Sequence, residues 1–231
     1  MDNIVELPKP HYLHMAGRWN GSQFAENQPI VLELACGKGE YTYGLAKEFP
    51  EKNFVGMDIK GSRIYVGAKQ AETNGLQNVA FLRGKIENLR SFFGWQEVSE
   101  IWITFPDPRP KDGDEKKRLT FSRFLALYQH IIKPEGILHL KTDNRPLMDY
   151  SVESIKAFGG EVLQLTHNLY ESELKNLHHG IQTYFENKFT EKGFSINYLQ
   201  FRLPVLAAPE GPIPPLYFRM DEGNQIQNKA K

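Results

Sequence analysis

From Ile30 onward the chain alternates two textures. Short apolar runs rich in β-branched and aromatic residues read as strands: Ile30 to Leu34, Asn53 to Asp58, Val79 to Arg83, Glu100 to Thr104, Gly136 to Thr142, Glu161 to Leu169 and Ser195 to Arg202. Between them apolar residues recur at helical spacing. These stretches are Glu40 to Phe49, stopped by Pro50; Ser62 to Asn74, stopped by the C-cap signal Asn74-Gly75; and a short one from Ile86 to Phe93. Phe121 to Ile132 follows, ended by Lys133-Pro-Glu-Gly136, then about Pro146 to Phe158 and Thr183 to Lys192. The alternation predicts an α/β fold: a Rossmann-like, seven-stranded, mostly parallel sheet with helices on both faces, its final pair of strands antiparallel. Ligands of such sheets bind outside the carboxyl ends of the strands. Glu33, Asp58, Asp107 and Asp143 all fall at or just past such ends.

The first of these ends carries the clearest chemistry. Ile30 to Leu34 breaks into Cys36-Gly37-Lys38-Gly39, and Glu40 opens a helix. Gly37 and Gly39 allow a tight turn and close approach of a ligand to the backbone. A dinucleotide fingerprint needs a third glycine, and Thr42 stands in its place. Glu33, leading the turn, would repel a pyrophosphate. It suits a cationic nucleoside, and S-adenosylmethionine carries both a sulfonium and an ammonium. Asp58, twenty-five residues on, ends the next strand, where a carboxylate can accept both ribose hydroxyls.

Composition narrows the class. The 231 residues are 40% hydrophobic, enough for one sizeable core. No run reaches the length of a membrane span and the first ten residues carry no apolar leader, so a cytoplasmic location with no membrane partner is expected. Cys36 is the only cysteine, which excludes an intrachain disulfide and a zinc cage. Basic and acidic residues balance at 28 each, leaving room for a local basic patch rather than a general nucleic-acid coat. The expected organisation is an arm over residues 1–28, a ligand-binding domain over 29–203, and a Pro-rich then polar tail over 204–231. The arm holds Lys9, His11, Arg18 and Trp19.

Phe105-Pro-Asp-Pro-Arg-Pro-Lys111 is the most specific segment. Its alternating prolines stiffen the backbone around Asp107 and so present the carboxylate at low entropic cost. Lys111, Lys116, Lys117 and Arg118 follow closely. At this point the chain resembles the bacterial tRNA (guanine-N7)-methyltransferases. The shared stretches are Glu33-Leu-Ala-Cys-Gly-Lys-Gly39, Gly56-Met-Asp58, Asn78-Val-Ala-Phe-Leu-Arg83, the Phe105 to Lys111 loop, Lys116-Lys-Arg-Leu119, Lys141-Thr-Asp143 and Thr183-Tyr-Phe-Glu-Asn-Lys-Phe189.

The resemblance implies a class I methyltransferase using S-adenosylmethionine on tRNA, as monomer or homodimer, without a metal. It places Glu33, Gly37, Gly39, Asp58, Glu87 and Asp107 at the cofactor, with Asp107 also catalytic. Lys111, Asp143, Thr183 and Glu186 would hold the RNA. Lys85 stands where the family usually has an acidic residue, and Glu87 takes that place here. Arg109 replaces a common tryptophan.

The implied reaction is in-line methyl transfer to nitrogen-7 of a variable-loop guanosine, an atom that needs no strong base. An exocyclic-amine methyltransferase is the nearest alternative, but Pro106-Asp-Pro-Arg does not fit its Asn/Asp-Pro-Pro-aromatic loop. A nucleotide-dependent oxidoreductase lacks support from the glycine pattern. A non-catalytic RNA-binding module would be expected to lose Glu33 or Asp107. Cys36 reads as a small turn residue, His139 as a packed histidine, and Trp19, Trp95 and Trp102 as packing residues. His178 and His179 lack a suitably spaced third ligand for a metal.

Overall fold

A computed structural model describes residues 2–5 and 15–208. Lys9 and His11, and the Pro-rich tail beyond Ala208, lie outside the described residues. Strands β1 (Ile4–Val5), β2 (Ile30–Leu34), β3 (Asn53–Asp58), β4 (Val79–Arg83), β5 (Val98–Thr104), β6 (Ile132–Thr142), β7 (Glu161–Thr166) and β8 (Asn197–Arg202) form one sheet in the order β1-β4-β3-β2-β5-β6-β8-β7. Helical segments are α1 (Trp19–Ser22), α2 (Glu40–Glu48), α3 (Gly61–Thr73), α4 (Leu89–Phe92), α5 (Ser122–Ile131), α6 (Arg145–Ala157) and α7 (Tyr184–Glu191).

Among the described residues the sheet therefore has eight strands where seven were expected. The additional strand is Ile4–Val5, which pairs parallel with β4 at the edge. Two residues are too short to show a period of two in the sequence. The other strands lie where the pattern puts them, and β8 runs antiparallel to both β6 and β7. The Lys133-Pro-Glu-Gly136 turn is absorbed into β6 as an irregularity: Val98 pairs with Ile132, whereas Glu100 pairs with Ile137. Leu169 leaves the sheet and starts a 3-10 turn, Leu169–Glu171.

Alternation along each strand sends side chains to two cores. Leu32, Leu34, Ile101, Ile103, Leu138 and Leu140 face α4, α5 and α6. Val31, Phe54, Phe81 and Trp102 face α2 and α3. A fully buried aliphatic or aromatic side chain of this kind contributes about 1.5–3 kcal/mol. Helix ends follow local chemistry. The Asn144 side chain accepts from the Leu147 N–H at 2.8 Å and caps α6. Gly75, at φ +67°, closes α3.

Trp19 is wholly buried, stacks on Phe93 at 5.1 Å and donates from Nε1 to the Phe92 carbonyl at 2.8 Å. It packs, as does Trp102, which stacks on His139 at 3.9 Å. Trp95 meets His130 edge-on.

The face toward α2 also carries a polar row. Across it Glu33 pairs in register with Trp102, Trp102 with His139, Thr104 with Lys141, and Lys141 with Tyr198. The chain leaves β2 for β3 on one side and returns to β5 on the other. The carboxyl ends of β2 and β5 thus flank the switch point where open α/β sheets bind their ligands.

Candidate functional site

The turn after β2 holds three left-handed residues, Ala35 at φ +57°, Gly37 at +59° and Gly39 at +72°. Gly39 starts α2, and a Cβ there would stand 2.2 Å from the Phe81 ring, so only glycine fits. Ala35 lacks that freedom, and its conformation persists because its neighbours hold it.

Two carboxylates tie this turn from below. Asp58 accepts from the Gly37 N–H at 3.0 Å and from the Lys60 N–H at 2.8 Å. Glu33 accepts from the Thr42 N–H at 2.8 Å, from the Thr42 hydroxyl, and from the Thr104 hydroxyl at 2.5 Å. It is buried beneath the turn, and burial pushes its carboxyl up to about 7 despite those hydrogen bonds, which favour the charged form. Thr42, standing in the vacant third glycine position, is thus a structural partner of Glu33.

Two clefts open on either side of Ala35. The first, about 360 Å³, is lined by Ala35, Asp58, Ile59, Lys85, Glu87 and Arg123 among others. Lys85 and Glu87 both reach it, and Glu87 lies 4.0 Å from Arg123. The second, about 230 Å³, is bounded by the glycine turn, Lys38, Arg63, Thr104, Phe105 and the start of α7. Cys36 borders it, and burial, followed by the Glu33 and Asp58 charges, holds its thiol well above its ordinary range. Such a thiol is inert as a nucleophile.

The proline loop leaves β5 through Phe105 at φ +49° and passes Arg109 at +48°. Asp107 is exposed. It accepts from the Arg109 N–H at 3.2 Å and pairs with Arg109 Nε at 3.1 Å, so its own loop orients it in addition to the prolines. Arg118 donates to the Arg109 carbonyl at 3.2 Å and covers the Tyr150 ring at 4.3 Å. Lys117 pairs with Asp114 at 2.7 Å, while Lys111 and Lys116 are exposed. Asp143, half-buried at the end of β6, has its carboxyl raised by burial. Neither Asp107 nor Asp143 lines either cleft.

Thr183 borders the second cleft and caps α7, accepting from the Glu186 N–H at 3.2 Å. Glu186 returns the bond to the Thr183 N–H at 3.3 Å and accepts from the Tyr170 hydroxyl at 2.6 Å. It is wholly buried. The structure therefore places Asp58 and Glu87 in the first cleft and Gly37 and Thr183 at the second, with Glu33 buried beneath the turn and Gly39 at the start of α2, lining neither. It keeps Glu186 inside the fold. Lys141, buried on the Glu33 face, is a member of this surrounding that sequence reasoning missed. Its signal was there: in Ile137-Leu-His-Leu-Lys141, alternation puts Lys141 on the same inward face as His139.

A strand, a glycine turn and a helix start, with carboxylates at successive strand ends, define a Rossmann-like fold. A solved structure of the 16S rRNA methyltransferase KamB shares that fold, with a TM-score of 0.62 over 87% of this chain and 96% of that one at 17% identity. The family model described as "Putative methyltransferase" matches residues 27–199. The tRNA (guanine-N(7)-)-methyltransferase of Christiangramia forsetii is 45% identical over 87% of each chain. That of Porphyromonas gingivalis is 48% identical over 82% of this chain and 77% of its own. The chain belongs to the tRNA (guanine-N7)-methyltransferase family.

Proposed function

We propose that the chain transfers the methyl group of S-adenosylmethionine to nitrogen-7 of a variable-loop guanosine in tRNA. The observation that carries this reading is the pair of clefts meeting at Ala35, in a chain of this family. The first holds Asp58 and Glu87 among apolar residues and the basic Lys85, Arg109, Lys117 and Arg123. The second holds Lys38, Arg63 and Glu40 beside the rings of Phe105, Tyr184 and Phe185.

The first cleft fits S-adenosylmethionine. Asp58 stands there at the strand end where a carboxylate takes ribose hydroxyls, and Gly37, across Ala35 on the second cleft, lets the backbone approach the other end of the cofactor. Ile59, Ile86, Leu119 and Phe124 offer apolar walls to adenine, with Glu87 at the rim. Glu33 acts from beneath, through Thr42 and the turn. When bound, the cofactor supplies a methyl group on a positively charged sulfur that leaves as a neutral thioether.

The chain's own work is positioning and charge. Guanine nitrogen-7 has a lone pair and no proton, so no side chain has to remove one. Asp107 and Asp143 accept from the guanine N1–H and exocyclic amine, and thereby offset the positive charge that grows in the purine. Holding the reactants in line can contribute about 7–11 kcal/mol. Thr183 and Glu186 serve by fixing α7 beside the second cleft, and Lys111 and Lys116 by meeting phosphates. The target base leaves its stack to reach the site.

The test is direct. Unmodified tRNA incubated with the full chain and labelled S-adenosylmethionine, then digested to nucleosides, yields label in 7-methylguanosine. Label in an N2- or N6-methylated purine overturns the assignment in favour of an exocyclic-amine methyltransferase.

A further inference from the structure

The first cleft carries more positive charge than its own ligand calls for. Lys85, Arg109, Lys117 and Arg123 line it, against the carboxylates Asp58 and Glu87. S-adenosylmethionine brings a sulfonium and an ammonium, and cations beside it loosen its hold. Two of the four are engaged within the loop after β5. Arg109 Nε pairs with Asp107 at 3.1 Å, and Lys117 with Asp114 at 2.7 Å. The other two come from elsewhere in the fold. Lys85 precedes the 3-10 turn Ile86–Asn88 that follows β4, and Arg123 stands in the first turn of α5. Both are exposed. Lys85 makes no ion pair among the described residues. Arg123 reaches Glu87 only at 4.0 Å, with its guanidinium 4.5 Å from the Phe124 ring centroid.

Cations grouped around a cleft draw in an anion. The loop after β5 says which one. It exposes Lys111 and Lys116, and it sends Arg109 and Lys117 into the wall of the first cleft. A phosphate backbone held at Lys111 and Lys116 therefore has a continuous run of cations leading over the cleft mouth to Arg123 and Lys85. Phosphates there would also cancel the charge that works against a cationic cofactor.

We propose that the tRNA backbone crosses the mouth of the first cleft on Lys85 and Arg123, and that its phosphates couple RNA binding to cofactor binding. This rests on the functional reading above for the identity of the two ligands. The coupling is reciprocal: the factor by which tRNA tightens the cofactor is the factor by which the cofactor tightens tRNA. Because it acts between charges, it is larger for S-adenosylmethionine than for S-adenosylhomocysteine, which has no sulfonium.

The test is equilibrium binding to the full chain, with a tRNA whose variable-loop guanosine is replaced by adenosine so that no methyl group leaves. Saturating tRNA should tighten S-adenosylmethionine by about fivefold or more, the low end of ordinary coupling, and S-adenosylhomocysteine by less. Lys85→Gln with Arg123→Gln should bring the coupling below about twofold. It should also lower the log–log salt slope of tRNA binding by about 1.4–1.8, two phosphate contacts at about 0.7–0.9 each. Without RNA, the double variant should bind S-adenosylmethionine as tightly as wild type or more tightly, which lost packing would not produce. If the double variant does not fold, Lys85→Gln alone should show about half the change in slope.

A double variant with the wild-type salt slope, or a wild type with no coupling, overturns this inference. So does tripolyphosphate that reproduces the whole effect at the tRNA concentration, which would assign the mouth to a free polyphosphate. Uncoupled binding alongside normal 7-methylguanosine formation on unmodified tRNA leaves the functional reading standing. Coupled binding with label in another nucleoside overturns that reading alone.

Discussion

Lys141 Nζ lies 2.7 Å from Glu186 Oε1, with both side chains wholly buried. The pair joins β6 to α7 across the face that carries Glu33 and Thr104. Glu186 is further satisfied by the Tyr170 hydroxyl and the Thr183 N–H, and Lys141 stands 4.8 Å from the Tyr41 ring centroid. Burial lowers the Lys141 pKa, and the Glu186 charge opposes that shift. Taking two charges out of water costs several kcal/mol, so the pair is a weak source of net stability. Its effect is on placement: together with the Tyr184 N–H bond to Glu40 at 2.9 Å, it fixes the start of α7 beside the second cleft.

Breaking the pair is therefore expensive. Lys141→Met strands a buried carboxylate and should destabilise the fold by about 3–5 kcal/mol in urea unfolding. Lys141→Met combined with Glu186→Gln keeps an acceptor for Tyr170 and removes the orphaned charge, so it should lose less than the single variant. A single-variant loss below about 1 kcal/mol would mean that water reaches the pair.

Glu33 makes a pH prediction. Its folded carboxyl sits near 7 against an ordinary 4.5, because burial disfavours the charge. A raised pKa means that the folded state binds the proton more tightly. Glu33 thus contributes stability that is fully present below about pH 4.5 and is lost as pH rises through about 7, on the order of 3 kcal/mol in all. Glu33→Gln removes this slope. Buried His130 and His139 have lowered pKa values and contribute the opposite slope, but they do so in both proteins. The difference between the two unfolding free-energy curves from pH 4 to pH 8 isolates Glu33. A flat difference would contradict the buried, proton-binding carboxylate.

What was legible in the sequence follows from locality. Strand runs, the Gly37–Gly39 turn and the Asn74-Gly75 stop depend on neighbours in the chain, and all appear where the pattern puts them. Partners distant in sequence did not show. Glu33 reads as a carboxylate awaiting a cation until Thr104, seventy-one residues away, is found donating to it. Thr183-x-x-Glu186 illustrates both sides. Its spacing is that of a capping box, a local signal, and the structure uses it so. That the same glutamate meets a buried lysine on a central strand is a consequence of topology. Ile4–Val5 was invisible because only β4 gives those two residues a partner.

The basic loop should divide into two groups. Lys111 and Lys116 are exposed, whereas Arg118 is committed to the Arg109 carbonyl and Tyr150. Lys111→Glu with Lys116→Glu should weaken tRNA binding and flatten its dependence on salt, since each lost phosphate contact lowers the log–log slope by about 0.9 on a duplex. Cofactor affinity should not change. Arg118→Ala should instead act through loop order, with a smaller change in salt slope than the lysine pair. Equal salt slopes for wild type and the double variant would show that RNA does not cross this loop.

Asp107 allows its charge to be separated from its role in the loop. Its Oδ1 accepts from the Arg109 N–H, and its Oδ2 pairs with Arg109 Nε. Asp107→Asn keeps an oxygen for the backbone bond, so the Phe105 to Lys111 loop should retain its path, but no carboxylate remains to offset charge in the purine. Asp107→Ala removes both. If the carboxylate stabilises the transition state, Asp107→Asn should lower kcat by about 3 kcal/mol, near a hundredfold, with tRNA affinity changed far less. Asp107→Ala should add a loss in tRNA affinity as the loop relaxes. Single-turnover rates with saturating cofactor, set beside equilibrium tRNA binding, resolve the two. If Asp107→Asn turns over like wild type while Asp107→Ala fails, the residue shapes the loop and the charge-offsetting role passes to Asp143.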